Sequence, residues 1–229
     1  MLGKIVLLSA GAVKPGLTKV LDAFRHAEDC EVMLSFATAP EIRKRLTNGE
    51  QADVVIAPTD LLDELATIGR ALEDRITLGR IGVGVMTRTE TPPPKIATVE
   101  EFRQSLRAAA SIVYNLASTG IYIDRLINQL GIAKELEAKT TRYPDFAAVL
   151  AHISKGHGQE IGLGATTVII ENASDEVRFV GPLPAAIQNY TTYGAAMIPN
   201  SEANDGARAL VNFLASSPAK TIFSAAGIE

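Results

Sequence analysis

Four short segments of this 229-residue chain share a pattern that suits the capture of an anion. They are Ser9-Ala10-Gly11-Ala12-Val13, Ser35-Phe36-Ala37-Thr38-Ala39-Pro40, Ala57-Pro58-Thr59-Asp60 and Leu116-Ala117-Ser118-Thr119-Gly120. In each, an apolar run ends, small or hydroxyl-bearing residues follow, and an amphipathic stretch begins. Small side chains let a ligand approach the backbone, and the first amides of a helix have no partner within it. The helix dipole adds partial positive charge there, so such loops suit oxyanions and carboxylates. Any one loop could be ordinary helix capping. Four of them, spread over both halves of the chain, point to a shared ligand cleft. The candidate ligand-binding residues are Ser9, Ala10, Gly11, Ala12, Thr38, Ala39, Ala57, Pro58, Thr59, Ser118, Thr119 and Gly120.

Further polar groups could join them. Tyr114 and Asn115 precede the fourth loop, while Gln188, Asn189, Tyr190 and Tyr193 cluster late in the chain, with Tyr193 counted among the ligand-binding candidates. Arg142 is either a bidentate clamp for a carboxylate or a solvated loop residue. Lys14 reads as surface.

Catalysis finds little support. His152 lies mid-helix and His157 in a glycine-rich turn, neither with an evident partner. Cys30 stands between Asp29 and Glu31, which would raise its pKa and blunt it as a nucleophile. No nucleophile–base pair emerges, and the chain is read as a non-enzyme. One cysteine excludes an intramolecular disulfide, and the three histidines form no HxxxH or HExxH, so no metal and no cofactor is expected. A net charge of −4 without a basic run argues against nucleic acid, and no apolar stretch reaches membrane-spanning length.

The elements that must carry the loops follow from periodicity. Short apolar runs at 5–8, 31–35, 53–57, 111–114, 160–163, 177–180 and 191–198 read as strands, with a longer one at 80–87. Helical spacing marks 15–27, 40–47, a segment from Asp60 as N-cap to Gly69, one opening at Thr98 with a capping box, 120–130, 144–154, 201–214 and 218–226. Residues 167–170 suit either a strand or a helix start. Alternating strands and helices imply a mainly parallel α/β architecture. Residues 80–88 and about 180–195 read as two crossover segments. They divide the chain into a discontinuous lobe, 1–82 plus 184–229, and an inserted lobe, 83–183.

The same loops, in the same order along nearly the whole chain, resemble the molybdate-binding-protein-like family of ABC transporter substrate-binding proteins. The closing Phe213-Leu214-Ala215-Ser216-Ser217-Pro218 and Phe223-Ser224-Ala225-Ala226-Gly227 are similar to that family's tail. The resemblance implies the type II periplasmic-binding-protein fold, two lobes each with a mainly parallel sheet flanked by helices, joined by two crossovers. It implies a carrier that closes on a small anion by hinge motion and presents it to an ABC permease. It also places Ala12, Ala39 and Ala165 where the family carries two serines and a tyrosine, so three hydroxyl donors are missing and organic carboxylates compete with oxyanions as ligand. A monomer is expected. Its place is periplasmic if an export signal precedes the mature chain and cytoplasmic otherwise. A ligand sensor or a small organic-acid enzyme on the same fold is the alternative.

Overall fold

The computed structural model describes residues 4–28, 30–68, 73–198 and 204–229. The chain divides into two units, Met1–Ile81 with Thr192–Glu229, and Gly82–Thr191. The sequence boundary at 183/184 is corrected to 191/192. Leu183 is buried in the core of the second unit, and the Gln188 side chain there accepts from Val83 N at 2.9 Å and donates to Val83 O at 3.0 Å. The Gly181-Pro182-Leu183-Pro184 stretch is therefore tied to the second unit although it reads as a crossing.

In the first unit the elements are β1 (Lys4–Ala10), α1 (Lys14–Ala27), β2 (Glu31–Ala37), α2 (Ala39–Thr47), β3 (Val54–Pro58) and α3 (Thr59–Thr67). The chain leaves along β4 (Glu73–Arg88). Strands β1, β2 and β3 pair in parallel, with Ser9 level with Phe36 and with Ile56. A βα crossover reverses the chain between parallel strands, so the three following loops emerge at one end of the sheet. Every residue of β3 is buried, as its unbroken apolar sequence requires of a central strand. Helix α1 buries Leu17, Val20, Leu21 and Phe24, the face its sequence spacing announces. Helix α2 ends at Asn48-Gly49, where Gly49 takes φ +89.

The second unit contains α4 (Val99–Ala108), β5 (Ser111–Asn115), α5 (Ser118–Gln129), α6 (Ala133–Leu136), β6 (Thr140–Tyr143), α7 (Phe146–Lys155), β7 (Glu160–Ala165), α8 (Thr166–Glu171) and β8 (Val177–Pro182). Strand β5 runs parallel to β6 and β7, while β4 pairs antiparallel with β7 and β8. Its core gathers fully buried Phe102, Leu106, Ile112 and Tyr114, each apolar side chain stabilising the fold by about 1.5–3 kcal/mol.

Strand β9 (Tyr190–Met197) re-enters the first unit antiparallel to β3, and α9 (Asn204–Leu214) and α10 (Ser217–Ala225) complete it. Phe24 of α1 packs on Phe213 of α9 with ring centroids 5.3 Å apart. Each sheet thus has a three-strand parallel core with antiparallel partners at the crossing strands, because a crossing strand enters from the opposite direction.

Several local expectations change. Helix α3 opens at Thr59 with Pro58 as N-cap, so Asp60 lies in the first turn rather than capping it. Helix α5 opens at Ser118, two residues before the expected Gly120. Residues 166–171 are helix, and β6 and α6 occupy a stretch where periodicity marks nothing. Strand β6, Thr-Thr-Arg-Tyr, is the outermost strand beside β5 and only partly covered, so it carries no apolar run to read. The expected helix limits at Gly69 and Ser201 lie outside the described residues.

Candidate functional site

Within the first unit, three of the four sequence-marked loops stand side by side at the carboxyl end of the sheet. Ala10 is paired with Ala37, and Pro58 closes β3. Helices α2 and α3 begin without a side-chain cap: their N-cap residues are Thr38 and Pro58, and no side chain accepts from the first turn of either. Helix α1, entered through a 3-10 turn over Gly11–Val13, also has none. In the second unit, α5 starts uncapped after Ala117. The contrast is with α4, α7 and α10, where Thr98, Asp145 and Ser216 accept from the backbone amides of Glu101, Ala148 and Ala219. A helix capped by its own chain has spent those donors, whereas an uncapped one leaves them for water or a ligand.

The individual candidates fall as follows. Ala10 and Ala57 are buried at strand ends, and Ser9 is fully buried, its hydroxyl turned to Ala10 O at 3.2 Å. Gly11, Ala12, Thr38, Ala39 and Thr59 are half-exposed, and Pro58 is buried. Ser118 is half-exposed in the first turn of α5, with Thr119 and Gly120 buried behind it. Asn115 Oδ1 accepts from Ala117 N at 3.2 Å, a side-chain turn that carries the chain from β5 into α5. A Cβ on Gly120 would stand 1.6 Å from Asn115 O, so only glycine lets the helix start this close to the strand end.

Tyr193 lies in β9 opposite Pro58 and is buried at 3% exposure. Burial, and then the Asp60 charge, push its phenol well above the ordinary tyrosine range.

Arg142 is in β6, level with Tyr114, and not in a loop. Its guanidinium donates to Asp124 Oδ1 through Nε at 2.9 Å and Nη2 at 2.6 Å, and it lies over the Tyr114 ring, 5.4 Å from the centroid. Asp124 is partly buried, which works to raise its pKa. The hydrogen bonds from Arg142 and Tyr114 outweigh that and hold the carboxyl below the usual range. Arg142 therefore already serves a carboxylate of its own unit.

Two features escaped sequence reading. His152 has two partners: Ser111 Oγ lies 3.2 Å from Nε2 and Tyr143 OH 2.9 Å from Nδ1. Nothing in the sequence links these three, since α7 brings the histidine against β5 and β6 only on folding. Lys14, at the first position of α1, reaches over the Phe36 ring with its Nζ 5.8 Å from the centroid, joining the first two loops. Among the described residues no cluster of His, Cys, Asp or Glu could hold a metal ion, and no helix is long and apolar enough to cross a membrane.

The fold agrees with what the chain is similar to. Residues 5–229 match the family model described as bacterial extracellular solute-binding protein. The chain belongs to that family. Among solved structures, the Azotobacter vinelandii periplasmic molybdate-binding protein superimposes with a TM-score of 0.81 at 16% identity, covering 98% of each chain. The sulfate-binding protein of Mycobacterium tuberculosis gives 0.78 at 18% identity, over 99% of this chain and 86% of that one. Both show the type II periplasmic-binding-protein fold. By sequence, the chain is 30% identical to an aconitate isomerase of Pseudomonas sp. over 234 residues, 98% of this chain and 87% of that protein. A relative of this chain is thus named for a reaction.

Proposed function

We propose that this family member is a carrier for a small organic polycarboxylate, working outside the cytoplasmic membrane with an ABC permease and releasing its ligand unchanged. The observation that carries the anion reading is the division among its helices. Those after β1, β2, β3 and β5 start uncapped, as do the short α6 and α8, while α4, α7 and α10 are capped by their own side chains. Amides at three neighbouring helix starts, with the Lys14 ammonium beside them, make the edge of the first unit's sheet attractive to negative charge.

Two observations favour carboxylates over tetrahedral oxyanions. The half-exposed Ala12 and Ala39 bring no hydroxyl donors to the first two loops, and each donor withheld from a charged group costs about 1–3 kcal/mol. The relative at 30% identity is named for aconitate, a tricarboxylate, whereas the molybdate and sulfate binders stand at 16% and 18%.

A second reading is favoured by that same relative: the chain interconverts isomers of an unsaturated tricarboxylate by moving a proton from one carbon to another. A thermal-shift series with citrate, cis- and trans-aconitate, succinate, molybdate, tungstate, sulfate and phosphate tests the first reading. A ligand at a hundred times its Kd adds about 2.7 kcal/mol to stability. Carboxylates are expected to raise the melting temperature. A response to oxyanions alone overturns the carboxylate assignment, and no response to any overturns the anion reading. Proton NMR of trans-aconitate incubated with the protein separates carrier from isomerase, since appearance of the cis isomer establishes the second.

A further inference from the structure

The crossing strand β4 is tied once to each unit, at Arg80 and at Val83. Arg80 N donates to Glu229 O at 2.7 Å, and Glu229 N donates to Arg80 O at 3.0 Å. Ile228 beside them is buried and donates to Phe223 O of α10 at 3.0 Å, so this tie belongs to the first unit. Val83 gives both of its backbone groups to a side chain instead. The Gln188 amide accepts from Val83 N at 2.9 Å and donates to Val83 O at 3.0 Å. Its Oε1 also accepts from Asn189 N at 2.9 Å. A side-chain amide carries the same donor and acceptor as a peptide unit, so Gln188 holds Val83 as a neighbouring strand would.

The segment around Gln188 is itself fixed to the second unit. Leu183 is buried in that unit's core and donates to Val83 O at 3.1 Å. Tyr122 of α5 donates to the carbonyl of Ile187, the residue before Gln188, at 2.7 Å. A Cβ on Gly82 would stand 3.3 Å from Gln188 Nε2, so glycine lets the amide lie close over the strand. On the returning chain, Asn189 is held by Gln188, and Tyr193 pairs with Pro58 of the first unit. Between the ties lie Ile81 and Gly82 on the outgoing strand. On the returning strand, β9, which lies beside β4, they are Tyr190, Thr191 and Thr192. These two stretches contain both points where one unit gives way to the other, 81/82 and 191/192. A ribbon of two strands accepts a wider range of twist than a broad sheet.

We infer that Gln188 is a positioning residue: its amide locks both crossing segments to the second unit and confines flexing between the units to residues 81–82 and 190–192. The purpose of that flexing rests on reading the chain as a carrier, because domain closure depends on a few residues that absorb the change in backbone angles.

Spin-label distance measurements on the ligand-free chain test the lock. With C30S in place, labels on K19C and K134C report one exposed helix position in each unit. The wild-type lock is expected to give a narrow distribution of distances and Q188A a broader one. Q188E keeps the acceptor and loses only the donor, and its width should fall between them. Exchange of the Val83 amide proton should rise about tenfold in Q188A, the loss of one backbone hydrogen bond. T98A, which loosens a helix cap and touches neither tie, should keep the wild-type width. A merely structural Gln188 would lower the melting temperature and leave the width unchanged. A folded Q188A with the wild-type width overturns the lock, and so does an equal broadening in T98A. Should Q188A not fold, Q188E and Y122F carry the test, the latter removing only the hydroxyl on Ile187 O. Both broader than wild type supports the lock, and both at the wild-type width overturns it. No ligand enters the measurement, so failure of the lock leaves the carrier reading standing, and a chain that binds no anion leaves the lock standing.

Discussion

The buried hydroxyl of Tyr114 donates to Oδ1 of Asp124 at 2.6 Å. The same oxygen takes two donors from Arg142, so one carboxylate ties β5, β6 and α5 together. D124N keeps the shape and removes the charge, and should lower stability at pH 7 by about 1 kcal/mol, since the pair is partly exposed and screened. The folded carboxyl is held below its unfolded pKa, so its contribution is complete above about pH 4, the unfolded value, and fades as pH falls through the lower folded value. Denaturant titrations of wild type and D124N at pH 7 and at pH 2–3 should show the difference shrinking in acid.

Gly120 should tolerate no side chain. The Cβ of alanine would meet backbone oxygen, which cannot swing aside, so the start of α5 would have to shift. G120A should destabilise the second unit by about 3 kcal/mol or more, beyond the small gain alanine brings to a helix. Urea denaturation followed by circular dichroism measures it, and a loss below 1 kcal/mol would show that the loop yields.

The capping box at Thr98 is structural. Thr98 accepts from Glu101 N at 3.1 Å while Glu101 accepts from Thr98 N at 3.2 Å. T98A should cost about 0.5–2 kcal/mol and leave carboxylate affinity unchanged in isothermal titrations with citrate. A drop in affinity would contradict the separation drawn between capped and uncapped helices.

Hydroxyls can be put back. A12S with A39S should raise affinity for molybdate or sulfate by about tenfold or more, with one new donor in each of two loops. Calorimetry of the double variant against wild type checks this. No gain would mean that something other than missing donors governs the choice of ligand.

The sequence by itself determined most elements and the strand ends from which the small-residue loops leave. Apolar runs such as Val54 to Ala57 and the helical spacing of Leu17, Val20, Leu21 and Phe24 encode burial locally, and burial direction is what makes a strand or a helix. The Thr98–Glu101 pair announced its helix for the same reason: both partners sit within one turn. The roles of Arg142, His152 and Tyr193 were decided only by tertiary structure. Arg142 meets Asp124 across 18 residues and His152 meets Ser111 across 41. Tyr193 lies opposite Pro58 because β9 returns antiparallel to β3. The unit boundary moved likewise, when Gln188 bonded both backbone groups of Val83 across 105 residues. Side-chain type and local period state what a residue can offer. Which partner takes the offer depends on strand register and helix docking, and these are set by the packing of the whole unit.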